Sequence, residues 1–211
     1  MCFLSEHVRV DAVNPDPATV RRAVDVMRDG GVIAFPTETF YGLGVDPSQD
    51  AALHRLFEVK GRDYRNPIPL IISDRTVLTE LASDIPDAAV RLMDRFWPGP
   101  LTLVFRALPS VSSVITAGLG TVGVRHAGNL LARLLAEGLS GVITATSANS
   151  SGFRPCTTGV MARHHLEGKI DLVLDGGTVP GGLPSTVVDV TKDIPAVIRV
   201  GVIPAEDISR T

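Results

Sequence analysis

Apolar positions along this 211-residue chain switch between a helical period and short unbroken runs, and the switches mark its elements. Ala18, Val20, Ala23, Val24 and Met27 recur at helical spacing. Asp16-Pro17 ahead of them supplies a cap and a first-turn proline, and Gly30-Gly31 ends the helix. Val32 to Phe35 reads as a buried strand that Pro36, lacking a backbone donor, stops. Thr37, Glu38, Thr39 and Tyr41 then fall in a loop, with Gly42 and Gly44 freeing the backbone to turn. Ser48 or Asp50 caps a helix carrying Leu53, Leu56 and Phe57, which ends near Gly61.

Ile68 to Ile72 is the next strand; Pro69 within it implies an edge position or an irregular start. Ser73 or Asp74 caps a short helix through Ala82, and Pro86 opens another to about Phe96. Two prolines bracketing a glycine make Trp97 to Pro100 a loop. Strands follow at Leu101–Phe105 and Thr121–Arg125, then a helix over Leu130–Glu137 and a buried strand at Val142–Thr146. That strand runs into the polar turn Ser147 to Gly152. Thr157 to Leu166 reads as helical, with strands at Leu172–Leu174, Thr186–Val190 and Ala196–Val200. Helices and strands intermix throughout, without repeats or a compositional break, so the expectation is α/β. One domain over 1–211 should carry a single twisted mixed sheet, because several strand-to-strand steps are short.

Composition narrows the class. Hydrophobic residues make up 45% and charged ones 20%, enough to bury a core rather than stay disordered. Aromatics are only 5%, so that core rests on Val, Leu, Ile and Ala. A net charge of −3 argues against a general nucleic-acid coat, though a local basic cleft is compatible with it. Cys2 and Cys156 are too few for a disulfide framework or a four-cysteine zinc site, which points to a reducing, cytoplasmic setting. Met1 to Asp11 has no apolar stretch of the signal-peptide kind, and no run approaches a membrane span.

The candidate chemistry is scattered. Neither the P-loop nor the dinucleotide glycine fingerprint is present, and the nucleophile elbow is missing. His164, His165 and Glu167 lack zinc spacing and read as a solvated helix end. Cys156, beside Arg154 in sequence, has no marked partner base and reads as structural. Lys60-Gly61-Arg62 follows the threonine-rich loop by two turns of helix, suggesting an anion site, or only a basic helix end. Ser147-Ala148-Asn149 can form an anion nest or an ordinary Asx-type turn. Arg125 and Arg199, each at a strand end, can reach a shared crevice or sit on its rim.

Taken together and in order, these segments resemble the YrdC-type family, the threonylcarbamoyl-adenylate synthases. The resemblance is carried by Pro36 to Gly44, Lys60-Gly61-Arg62, Phe96 to Thr102, Val122 to Arg125, Thr146 to Asn149 with Ser151-Gly152, and Ser185 to Asp189. It spans about Asp16 to Ile208 and does not extend to the additional C-terminal domain of longer members. It implies an α/β fold with a concave basic crevice for L-threonine, bicarbonate or carbon dioxide, and ATP with Mg2+. The product would be threonylcarbamoyl-adenylate and pyrophosphate, with partner proteins transferring the group to tRNA.

The resemblance further implies that Lys60 and Arg62 are the catalytic cations. Thr37, Arg125 and Ser185 would bind threonine. Lys60, Thr121, Ser147, Asn149 and Arg199 would bind the nucleotide, and no protein-held metal is implied. Four positions depart from the family pattern: Asp63, His126, Pro184 and Val200. They bear on loop geometry and efficiency. Two other readings compete. One is a non-catalytic module using the same crevice for tRNA or double-stranded RNA; the other is a carbamoyl-adenylate-handling relative from hydrogenase maturation, which should carry more domains.

Overall fold

The computed structural model describes residues 5–211; the expectations resting on Cys2 and the first residues lie outside it. In chain order the elements are β1 (Glu6–Arg9), α1 (Pro17–Arg28), β2 (Ile33–Pro36), β3 (Tyr41–Gly44), α2 (Asp50–Lys60) and β4 (Leu70–Ile72). A 3-10 turn (Arg75–Glu80) leads to α3 (Asp87–Phe96), β5 (Leu101–Arg106), α4 (Ser113–Thr116), β6 (Thr121–His126), α5 (Leu130–Gly138) and β7 (Val142–Thr144). The chain closes with β8 (Thr146–Ser147), α6 (Gly159–Leu166), β9 (Leu172–Asp175), β10 (Thr186–Asp189), β11 (Ala196–Arg199) and α7 (Ala205–Ser209). No helix of the described residues is long and apolar enough to cross a membrane.

Local chemistry explains most boundaries. Asp16 caps α1 by accepting the Thr19 N–H at 3.0 Å, and Pro17 opens it. The α2 cap differs from expectation: Gln49 holds that position without a side-chain bond to the helix amides, its Nε2 donating to the Arg28 carbonyl at 2.9 Å, while Asp46 takes the Ser48 N–H and hydroxyl. Gly61 ends α2 at φ +58, in the left-handed region, letting the Arg62 N–H reach back to the Phe57 carbonyl. Tyr41 to Gly44, expected as loop and turn, is instead a strand antiparallel to β2. Its glycines serve packing: a side chain on Gly44 would meet Ile143 and Phe35 within 3 Å.

The α/β class and the mixed strand directions are as expected, but the strands form two sheets rather than one. The first runs β1-β9-β2-β3-β8 and the second β11-β10-β5-β6-β4-β7. The expected strand Val142–Thr146 is where they part. Its first half pairs with β4 in the second sheet, its last residues with β3 in the first. Ala145, between them, donates its N–H to the Pro69 carbonyl at 2.8 Å. Pro69 therefore lies just outside β4, which is an interior strand, and the irregular start is the alternative the structure takes. Phe35, Ile71, Ile143, Leu131 and Leu135 pack into one core cluster, while Leu43, Leu53, Leu70, Leu103 and Val124 belong to a larger second one. The sheets are thus held by apolar layers on both faces.

At the far end Gly201 lies so close to the Pro184–Ser185 backbone that an added Cβ would stand 2.1 Å from the Pro184 carbonyl oxygen. Gly201→Ala should therefore destabilise the protein by about 1–3 kcal/mol through forced backbone displacement. Urea unfolding reads this directly, and an unchanged midpoint would show that the two segments separate freely.

Candidate functional site

Where the two sheets diverge they leave a cleft of about 420 Å³, bordered by the β2–β3 loop, the ends of β5 and β6, the Ser147 turn and the segment before β10. The register aligns its floor. Val187 pairs with Arg199 on one side and Thr102 on the other, and one step beyond the Leu103–Val124 pair Thr102 lies beside Arg125. Arg199 and Arg125 thus stand in a single cross-strand row, three strand spacings or roughly 14 Å apart, and the row continues past Arg125 to Ile71 and Ile143. Thr37, Thr39, Arg62, Thr102, Arg125, Ser147, Ser185 and Arg199 all line the cleft.

Arg125 is buried, at 8% exposure. Its Nε donates to the Gly99 carbonyl at 3.2 Å, Nη1 to Thr39 Oγ1 at 3.5 Å, and Nη2 stands 2.6 Å from Glu38 Oε1. That last contact is out of line for a hydrogen bond, so Nη2 has no aligned acceptor. Burial raises the Glu38 carboxyl pKa, but the Arg125 charge and the Gly128 N–H outweigh it and hold the carboxyl below its ordinary value. Ser185 Oγ sits 3.0 Å from Thr102 Oγ1, and Arg199 donates to the Ser185 carbonyl and hydroxyl at 2.9 and 3.1 Å. The Thr37 hydroxyl donates to the Phe40 carbonyl at 2.7 Å, which fixes the loop.

Lys60 departs from the accessible cation that a helix end implies. It is 3% exposed, and its Nζ donates to the Ser147 and Asn149 carbonyls at 2.6 and 3.0 Å and to Asn149 Oδ1 at 3.1 Å. Its own carbonyl accepts the Ser151 N–H at 2.8 Å, so this residue holds the whole 147–151 turn from beneath. Burial, with Arg62 nearby, lowers its pKa to about 8. Asn149 is likewise buried, closing the turn through the Ser150 and Phe153 carbonyls rather than facing the cleft. Arg62 does line the cleft, steadied by the Asn66 and Pro67 carbonyls. Thr121 stands outside it, four residues before Arg125 on the same face of β6 and roughly 14 Å away along the strand.

The structure adds Thr39, Thr102 and Glu38, whose only sequence signal was membership of the quoted segments. It also locates the departures. Asp63 is neutralised by Arg65 at 2.5 Å. His126 turns its Nε2 to the Ser73 carbonyl at 3.1 Å, away from the cleft, and Val200 is exposed beside Arg199. Pro184 alone among the four lines the cleft. Cys156 is buried and free of a disulfide, its Sγ 3.5 Å from His165 Nδ1, and burial pushes its thiol up to about 11.

Comparison with known proteins meets the same geometry. A family model named for Sua5, YciO and YrdC and described as telomere recombination matches residues 25–201. The threonylcarbamoyl-AMP synthase of Pyrococcus abyssi is 43% identical over 195 residues, covering 90% of this chain and 56% of that protein. The structure of P. abyssi Sua5 complexed with L-threonine superposes with a TM-score of 0.92 at 39% identity, over 99% of this chain and 60% of that one. Escherichia coli YciO superposes at 0.88 and 28% identity, over 97% and 100%. The chain therefore spans little more than half the length of the Pyrococcus synthase. On the match across 25–201 and these likenesses, the chain belongs to the Sua5, YciO and YrdC family.

Proposed function

We propose that this chain is an L-threonylcarbamoyladenylate synthase, a nucleotidyltransferase forming threonylcarbamoyl-AMP and pyrophosphate from L-threonine, bicarbonate and ATP. The observation that carries the reading is the single cleft in which a buried arginine, ion-paired to Glu38 from behind, adjoins two threonine hydroxyls, while Arg62 and Arg199 border the same space. The named relatives support it: synthases in the sequence comparison, and a Sua5 holding L-threonine in the structural one.

In this reading Arg125 takes the amino-acid carboxylate, which a guanidinium fork suits, and Thr37 and Ser185 set the backbone and side-chain hydroxyl. The threonine amine adds to carbon dioxide derived from bicarbonate, forming the N–C bond of a carbamate and losing a proton. A carbamate oxygen then attacks the α-phosphorus and pyrophosphate leaves. Such a displacement needs positioning and cationic stabilisation, not a covalent nucleophile. Arg62 and Arg199 meet the phosphates and nucleotide, and Ser147 offers its hydroxyl. Lys60 acts from below, holding the Ser147–Asn149 turn and adding its charge; Thr121, farther along β6, meets the distal part of the nucleotide. Magnesium accompanying ATP would be held by phosphates and water and would neutralise their charge. The product passes to proteins that transfer the group to tRNA, in a reducing cytoplasm suited to an unpaired buried thiol.

One outcome follows for the reaction and two for the lysine. Pyrophosphate release in degassed buffer should require added bicarbonate, run fastest with L-threonine, fall with serine and nearly vanish with valine, whose methyl leaves the site's polar groups unpaired. Equal release with valine, or indifference to bicarbonate, would mark an ATP-cleaving enzyme of another kind. Lys60→Ala should lower product formation and also destabilise the fold by about 1–3 kcal/mol, because it strands buried acceptors; full activity at unchanged stability would sink the assignment.

The third outcome is a pH dependence. The Lys60 ammonium, at about 8 in the fold against an ordinary 10.5, loses its proton as pH rises through about 8. ATP affinity, titrated without threonine or bicarbonate, should therefore hold below about 8 and weaken above it. Over that window the unfolded chain holds the Lys60 proton that the folded one has lost, so this group's own contribution to stability rises with pH, and a melt at each pH separates weaker binding from unfolding. A flat affinity from pH 7 to 9.5 would contradict the role.

A further inference from the structure

Glu38 has no place in the chemistry above, yet its carboxylate stands behind the one buried arginine of the cleft. Three arginines line that cleft and no acid does, among the described residues. Glu38 Oε1 accepts the Gly128 N–H at 2.7 Å and lies 2.6 Å from Arg125 Nη2; Oε2 faces the Asn129 N–H at 3.4 Å. Asn129 is the cap of α5, so the carboxylate sits where the first amides of a helix favour negative charge. One side chain thus ties the tip of the β2–β3 hairpin, the end of β6 and the start of α5.

What this does to Arg125 follows from donor geometry. A guanidinium offers five N–H groups in a rigid plane. Gly99 takes the Nε–H and Thr39 an Nη1–H on opposite sides of the fork, and Glu38 neutralises the charge at Nη2, between them, without an aligned bond. A buried arginine without such a partner would be an uncompensated charge, and its plane would be free to turn toward any acceptor. We propose that Glu38 is a positioning residue that sets the plane of Arg125, and through it the preference of the cleft for a free amino-acid carboxylate over a neutral amide. This rests on the amino-acid reading of the cleft given above. A tie that merely braced the hairpin against α5 would affect stability and every ligand alike, whereas the positioning role acts on carboxylate selectivity.

Calorimetric titration of wild type, Glu38→Gln and Glu38→Asp with L-threonine, L-threonine amide and ATP separates the two. Gln keeps the length and an acceptor for the Gly128 N–H but removes the charge; Asp keeps the charge and withdraws it by a methylene. The wild type should prefer L-threonine to its amide, and Glu38→Gln should reduce that preference at least about tenfold, the low end for a charge-assisted hydrogen bond. Glu38→Asp should fall between them, and ATP affinity should stay at the wild-type level in both. Should Glu38→Gln not fold, the ratio in Glu38→Asp decides. Wild-type selectivity in the folded variants, at whatever Tm, would overturn the positioning role alone. A wild type indifferent to the carboxylate would overturn the amino-acid reading, and this inference with it.

Discussion

Arg125 is hidden from water in the middle of a cross-strand row, and a charge removed from water must be met by oriented partners or not be there at all. Much of the local architecture answers that requirement. The Trp97–Pro100 loop brings the Gly99 carbonyl, the hairpin tip brings Thr39 and Glu38, and the start of α5 anchors Glu38 in turn. None of these segments adjoins another in sequence. The cation is the point at which they meet, and its remaining donors are what the cleft has to offer an anion.

A second buried cation plays the same part at the opposite wall. Lys60 binds the Ser147–Asn149 turn so fully that its protons are committed to protein oxygens. The turn lies just after the chain has crossed from one sheet to the other, where the ladder bonds give out. The lysine thus takes over from the β3 pairing of Ser147 and Ala148 as the chain leaves the first sheet toward Asn149 and Ser151. Its lowered pKa is the electrostatic consequence of this burial, and makes the wall sensitive to alkaline pH.

Both observations alter the view of the Lys60-Gly61-Arg62 segment. As a sequence it is a pair of cations at a helix end. In the fold the two diverge: Gly61, in its left-handed conformation, turns Arg62 toward the cleft while Lys60 stays under the neighbouring turn. In the proposed reaction, direct contact with the anion falls to Arg62 and support to Lys60. The departures from the family pattern sort themselves similarly, since Asp63 is answered by Arg65 and His126 by Ser73, leaving Pro184 to shape the wall.

Most helices and strands and the α/β class were legible in the residues, because caps, glycine stops and apolar period act within a few positions of one another; the short α4 and α7 were not. Asp16, Pro17 and Gly61 do locally what their chemistry requires wherever they occur. The ordered motifs also carried the family, which the match over residues 25–201 shows. Strand partnership was not legible: Val142 to Thr146 is one apolar run in sequence, and only long-range pairing splits it between two sheets. Tyr41 to Gly44 looked like a turn because glycine permits one, and became a strand because β2 and β8 supply its hydrogen bonds. The burial of Lys60 and the hold of Glu38 on Arg125 were equally out of reach. Each joins residues more than 80 positions apart, and it is the surrounding packing that removes the water which would otherwise answer those charges.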